Sequence, residues 1–366
     1  MKFNILQQDL MPALQSVSRS CGVRSQLPVL GNILLQANQG KLNLSATNLE
    51  VGIVKTINAE IIEDGDITVP AKTLVEVVAN LFGEKIEFES SGEILKITTP
   101  SFSSQISGIS ASEFPSIPLT GKGEVLIKPD VLQKSLPQVT FAAAVDDGRP
   151  VLTGILTEIH DNKLQFVATD GYRLAHKMVE VEEGTGFKAL IPRRTFEEIN
   201  RLIAEGGAEE IKISTSDDAN QMIFNFGNTQ LSSRLIEGNF PAWEKIVPSE
   251  AKSRIIIDRT EVLKAVKLAS VFSRSEANIV RLKNLPNKLV LTSEAKELGK
   301  QQKEVDVQSE GDEIEIAFNT KFLQDALSAF NTSQAVLELS GSLSAAVLKP
   351  VGEDGLQYII MPVNLS

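Results

Sequence analysis

The feature that most constrains this chain is a unit that occurs three times. Residues 151–175 read VLTGILTEIHDNKLQFVATDGYRLA, and two runs of alternating apolar and polar residues, Thr153–Ile159 and Lys163–Ala168, flank Asp161-Asn162. Alternation puts one face of each strand on a core, and two turn-forming residues suffice to reverse the chain, so the segment predicts an antiparallel hairpin. The second run closes in Thr169-Asp170-Gly171, where glycine can take positive φ at little cost. Tyr172-Arg173-Leu174-Ala175 then sets off again as strand. Pro28–Glu50 repeats the hairpin spacing and the Ala-Thr-(Asp/Asn) ending, and Ile279–Glu294 is a worn third copy.

Other features travel with the hairpin. An amphipathic helix candidate precedes each copy: Leu6–Arg19, Asp130–Ala143 and Arg259–Arg274. Leu263, Val266, Leu268 and Phe272 form the expected buried stripe of the last. Pro137 is expected to kink the second. Another helix follows each hairpin, over 71–81, 193–204 and 320–330, each entered through a short apolar run and a break at Pro70, Pro192 or Asn319. Strand candidates over 85–98, 210–226 and 335–350 close each unit. The matching Phe114-Pro115 and Phe240-Pro241 segments read as linkers. The expectation is an α+β chain of three similar domains, 1–120, 121–249 and 250–366, each with two helices and antiparallel sheets. These units are too long for a solenoid, whose repeats run about 20–50 residues.

Composition excludes several classes. A chain of 366 residues can hold more than one core. Its single cysteine, Cys21, rules out an internal disulfide framework and suits a reducing cytoplasm. No signal-peptide pattern follows Met1, and no apolar run approaches the ~20 residues of a membrane helix, so a cytoplasmic location is expected. His160 and His176 are the only histidines and neither has metal-ligand spacing. The phosphate-loop, nucleophile-elbow and zinc-protease motifs are missing. Asp146-Asp147 and Glu182-Glu183 read as solvated acidic pairs, and the Thr-Asp-Gly turn accounts for Asp170. No catalysis and no cofactor are expected. The formal charge of −11 argues, at face value, against nucleic acid.

Five segments resemble, in order and across the whole chain, the bacterial DNA polymerase III β subunit family of replicative sliding clamps. They are LPVLGNILL at Leu27–Leu35, TVPAKTL at Thr68–Leu74, VATDGYRLA at Val167–Ala175, GNFPAW at Gly238–Trp243 and YIIMPV at Tyr358–Val363. The nonapeptide at 167–175 is the most specific. The resemblance implies the DNA clamp fold and a head-to-tail homodimer closed into a ring around duplex DNA, with helices lining the hole. It implies a processivity factor without catalysis that tethers the replicative polymerase and other DNA-processing proteins and is opened by a separate ATP-dependent loader. The helix candidates together carry eleven Lys and Arg against seven Asp and Glu, so a basic lining inside an acidic shell answers the charge objection. Contacts to phosphates hold DNA without reading sequence, as a moving ring requires.

The resemblance also implies site residues. For the DNA path they are Arg24, Lys72, Arg149, Arg193, Arg194 and Arg281. For a groove taking short clamp-binding peptides of the polymerase, loader and repair polymerases they are Leu152, Thr169, Gly171, Tyr172, Arg173, Leu174, Pro241, Lys245, Ile246, Leu343, Ile359, Met361, Pro362 and Val363. Lys245 stands where the family commonly has arginine, and Asn364-Leu365-Ser366 replaces a more usual Arg-Leu ending. Both departures concern the polar rim of the groove. The dimer interface is expected to pair the Ser101–Ser107 strand, with Ser104 and Ile106, against a third-domain surface bearing Val271 and Phe272. The alternative is a monomeric three-repeat scaffold that binds peptides without encircling DNA.

Overall fold

The structure, a computed structural model, describes residues 1–22, 27–146, 148–181, 186–273, 278–296 and 299–364. Each repeat forms its hairpin. Gly154–His160 pairs antiparallel with Lys163–Thr169, with His160 opposite Lys163 across the turn. Asp161 and Asn162 have φ of 50° and 58°, the left-handed pair whose twist matches that of the flanking strands. Asn32–Asn38 pairs with Lys41–Thr47 through Gln39-Gly40, and Ile279–Leu285 with Lys288–Ala295 through Pro286-Asn287.

The turn after the hairpin is repeated down to its hydrogen bonds. Thr169 Oγ1 donates to Arg173 O at 2.6 Å and accepts from the Gly171 N–H at 3.0 Å. Asp170 Oδ1 accepts from the N–H groups of Tyr172 and Arg173 at 2.9 and 3.0 Å. In the first repeat Thr47 and Asn48 make the same four bonds, to Val51 O and from the N–H groups of Leu49, Glu50 and Val51. Gly171 has φ +92° and Leu49 has φ +74°. The left-handed conformation costs a non-glycine residue about 1–2 kcal/mol, which the four bonds offset at Leu49.

Six α-helices are described: α1 Gln7–Ser18, α2 Ala71–Ala79, α3 Pro129–Ser135, α4 Arg193–Glu205, α5 Arg259–Ser273 and α6 Thr320–Ala329. The effect of Pro137 is larger than the expected kink. Helix α3 stops at Ser135 and continues only as the 3-10 turns Leu136–Gln138 and Thr140–Ala142, because proline supplies no N–H to the helical ladder. The buried stripe of α5 also differs from expectation. It runs through Val262, Ala265, Val266, Ala269 and Ser273, while Leu268 is 50% exposed. At 3.6 residues per turn a face centred on 262, 266 and 269 cannot include 268.

The chain packs as two compact units. One takes Met1–Pro129 with Glu198–Leu235, and the other takes Asp130–Val181, Gly186–Glu197 and the chain from Ile236 onward. Each is built on a sheet that joins two repeats. In the first unit, Val51–Asn58 of the first repeat lies antiparallel to Thr229–Arg234 of the second, inside an eight-stranded sheet. In the second unit, Arg173–Glu180 lies beside Leu356–Ile360, with Arg173 opposite Ile360 and Leu174 opposite Ile359, inside a nine-stranded sheet. Pairing across the repeats satisfies backbone groups that would otherwise form open edges. The first unit adds a five-stranded sheet ending in Phe102–Ser107, and the second a four-stranded sheet ending in Gly299–Asp306. Helices α1 and α2 pack on each other, as do α5 and α6.

Candidate peptide-binding groove and charged surface

The junction inside the second unit gathers four of the sequence segments named above. The strand pairing that sets Leu174 beside Ile359 also sets Ile359 beside Val347. These residues, with Leu156, Val167, Leu190, Trp243 and Ala345, form one buried apolar cluster, and Val151, Ile236, Phe240 and Val247 pack against it. Burial sorts the expected groove residues into two sets. Leu152, Thr169, Arg173, Leu174 and Ile359 are buried. Gly171, Tyr172, Pro241, Lys245, Ile246, Leu343 and Met361 are exposed, while Pro362 and Val363 are half-buried. Tyr172 is 62% and Leu343 68% exposed. Exposed apolar side chains can accept varied aliphatic anchors, and the flexible thioether of Met361 suits that role.

Arg173 takes no part as an open cation. Its side chain is 9% exposed. Nε donates to Asp170 Oδ2 at 3.0 Å, Nη1 to Asp325 Oδ2 at 2.5 Å and Nη2 to Phe141 O at 2.9 Å. The guanidinium also faces the rings of Phe141 and Phe322, 5.2 and 4.7 Å from their centroids. Phe322 in turn stacks with Tyr172 at 6.5 Å and 20°. The backbone of Tyr172 is tied to the terminal segment by the Met361 N–H, which donates to its carbonyl at 2.9 Å. Phe322 and Asp325 on α6 were missed by the sequence reading. The available signal was weak: they share a helix face with nothing to mark it as facing Arg173.

His176 lies opposite Gln357 in the pairing of the two repeats, and its ring stands 4.5 Å from that of Trp243. Burial pushes its imidazole down to about 4, with Glu244 acting in the opposite direction. A hydrogen bond of 3.1 Å joins Nδ1 to Gln357, while Nε2 and the Trp243 indole nitrogen have no protein partner. Asp170 is fully occupied by the turn and by Arg173, which explains it without chemistry. No group of three or more His, Cys, Asp or Glu among the described residues could hold a metal ion.

The expected DNA-facing cations divide in the same way. Lys72, Arg194 and Arg281 are exposed and make no ion pair among the described residues, as does Lys267 on α5. Arg193 pairs with Glu197 at 3.5 Å. Arg149 lies over the groove turn, where Nη2 donates to Asp170 O at 3.1 Å and the guanidinium covers Gly171. Arg24 lies outside the described residues. Several helix cations are already neutralised: Arg19 by Glu198 and Glu205, both at 2.7 Å, Arg201 by Glu198 and Lys264 by Glu261. The usable positive charge is therefore smaller than the sequence count.

At the expected interface, Phe102–Ser107 is an outermost strand with one neighbour. Ser104 is half-buried, and Ile106 is buried in the core of its own sheet. Val271 is exposed, Phe272 half-buried, and Leu268 adds a second exposed aliphatic one turn earlier on α5.

A chain of three α+β repeats with joined sheets and a buried apolar cluster at one junction defines a clamp-type architecture. Three sequence profiles match it in succession: the N-terminal domain of the DNA polymerase III beta subunit over residues 1–118, the central domain over 126–242 and the C-terminal domain over 244–364. The chain belongs to the DNA polymerase III beta subunit family. The Beta sliding clamp of Synechococcus elongatus is 33% identical over 374 residues, with 100% of each chain covered. The beta subunit from Thermotoga maritima has a TM-score of 0.92 at 26% identity, and the Pseudomonas aeruginosa sliding clamp bound to griselimycin 0.94 at 29%, each covering 100% of both chains. No described helix is long and apolar enough to cross a membrane.

Proposed function

We propose that this chain is a DNA sliding clamp: a homodimeric ring that encircles duplex DNA and tethers the replicative polymerase, the clamp loader and repair polymerases through short peptides. It is a processivity factor and catalyses nothing. The observation that carries the reading is the succession of three beta-subunit domains over the full chain, with domain limits taken near 120 and 249. The monomeric scaffold would leave Phe102–Ser107 and Gly299–Asp306 as open sheet edges, an arrangement proteins ordinarily avoid. Head-to-tail pairing of these edges closes the ring and sets Leu268 and Val271 at an apolar contact.

Within the ring, Lys72, Arg194, Arg281 and Lys267 supply cations for phosphates, with Arg24 and Arg193 as further members. Few such contacts, none to base edges, keep sliding barriers low. Retention comes from topology, so tight equilibrium binding is unnecessary. The peptide groove is the Tyr172–Met361–Leu343 surface over the Leu174–Ile359–Trp243 floor. The site of action is the cytoplasm.

Two measurements test the reading. Light scattering over a dilution series is expected to give a particle near twice 39.7 kDa. After loading, the protein is expected to stay on nicked circular DNA and to leave when the circle is linearised. A monomer at all concentrations, or equal retention on circular and linear DNA, would overturn it. Trp243 is the sole tryptophan, so its fluorescence tests whether griselimycin, bound by the P. aeruginosa clamp, also binds this chain beside the cluster that holds it.

A further inference from the structure

We infer that Asp325, on α6 outside the groove, is a positioning residue that sets the groove's rim by holding Arg173 and, through it, Tyr172. This rests on the peptide-groove reading above. An exposed tyrosine is normally free to change rotamer, yet here three restraints meet on it. Asp170 fixes the backbone of Tyr172 and Arg173 through Oδ1, and its other oxygen is held by Arg173 Nε. Asp325 holds another nitrogen of the same guanidinium, whose Cζ lies 4.7 Å from the centroid of the Phe322 ring. The other side of this arrangement is the Phe322 ring stacked on Tyr172. The rim residue therefore stands on a shelf made by α6, and the shelf is set by one carboxylate.

The burial of Arg173 argues against the simpler role of contacting a peptide carboxylate or carbonyl directly. Every guanidinium nitrogen already has a protein acceptor, and Nη1 and Nη2 are directed at Asp325 and Phe141. Lys321, one turn earlier on α6, shares the Asp325 oxygen at 3.1 Å. It is exposed, and it leaves the carboxylate's orientation to the stronger, buried bond from Arg173. Loss of Asp325 frees the guanidinium to tilt from Phe322, and Tyr172 then loses its fixed direction before any peptide arrives. Binding must supply that ordering, and affinity falls accordingly.

The test is a double-mutant cycle on the full-length dimer. The probe is a fluorescein-labelled synthetic peptide carrying the clamp-binding segment of the cognate replicative polymerase, read by anisotropy beside a thermal melt. Asp325→Asn is expected to weaken binding about tenfold, within the range of coupling between contacting residues. In a Tyr172→Ala background the same substitution is expected to cost less than about twofold. A merely structural role would give equal losses in both backgrounds, and equal losses, or wild-type affinity for Asp325→Asn, would overturn the inference. If Asp325→Asn fails to fold, Arg173→Lys completes the cycle, since it keeps the charge but cannot bridge Asp170, Asp325 and Phe141 together. Failure of the groove reading itself looks different: the wild type would not bind the peptide, or Tyr172→Ala would bind it unchanged.

Discussion

The groove floor should make stability depend on pH in a window set by one side chain. His176 is buried, and although Glu244 acts in the opposite direction its folded value is pushed down to about 4, below the ordinary 6.5 of an exposed imidazole. The unfolded chain therefore takes up a proton that the folded chain refuses. Stability is full above about pH 6.5, is lost progressively as pH falls towards 4, and changes no further from this group below that. Between about pH 7.5 and pH 5 the linkage relation gives a loss of about 2 kcal/mol from this residue. Urea denaturation of the wild type and of His176→Gln at several pH values isolates the effect, because the carboxylates that also titrate are common to both proteins. The wild-type curve is expected to fall about 2 kcal/mol more steeply over that range than the variant's. Parallel curves would refute the placement of a neutral imidazole in the floor. Trp243 gives a second reading, since an imidazolium 4.5 Å from its ring would quench its fluorescence on local protonation before global unfolding.

Met361→Ala should weaken groove probes by about 1–2 kcal/mol with little change in melting temperature, as measured by anisotropy and calorimetry. Removing residues from 358 onward should instead unfold the second unit, visible by circular dichroism, because Leu356–Ile360 lies between two strands of the nine-stranded sheet and Val363 N–H donates to Ala317 O. Lys72→Ala with Arg194→Ala should leave the dimer intact and lower the salt slope of its weak binding to a short duplex by about one unit per lost phosphate contact. An unchanged slope would remove both residues from the DNA path. Leu268→Asp with Val271→Asp should give monomers by light scattering, through about 2–4 kcal/mol lost at an apolar contact. Arg149→Ala should impair peptide binding more than DNA retention, because Arg149 lies on the Asp170-Gly171 turn.

Much of the architecture was legible because the signals are local. Period-two alternation and left-handed turn residues define each hairpin within about 20 residues of chain, so all three copies could be found without knowing what they pack against. The failures have equally specific causes. Leu268 was assigned to a buried stripe because it is large and apolar, whereas α5 buries the smaller residues Ala265 and Ala269 against its neighbours. Pro137 was read as a kink, although the turns after Ser135 find partners outside any helix: Ala144 N–H, for one, donates to Leu152 O. Among site residues, Tyr172, Met361 and Leu343 are exposed, whereas Arg173 is held by Asp170, Asp325 and Phe141 and Arg149 bonds to the Asp170 carbonyl. A sequence shows that a guanidinium is present and says nothing of what has already neutralised it.

The first two repeats mark the boundary between what sequence and tertiary structure each decide. Thr47-Asn48 and Thr169-Asp170 specify the same turn by themselves, because a threonine hydroxyl and an Asx oxygen satisfy backbone groups within four residues. Which turn borders a groove is not local information. At the first junction Ile117 packs onto Gly52, where an added Cβ would lie 2.7 Å from it, and Leu49 and Glu50 occupy the places of Gly171 and Tyr172. At the second, Arg173 reaches a carboxylate 152 residues away, and Tyr172 stacks on the neighbouring helix. Local hydrogen bonding determined the turn, and only the packing of distant chain against it determined what each copy touches.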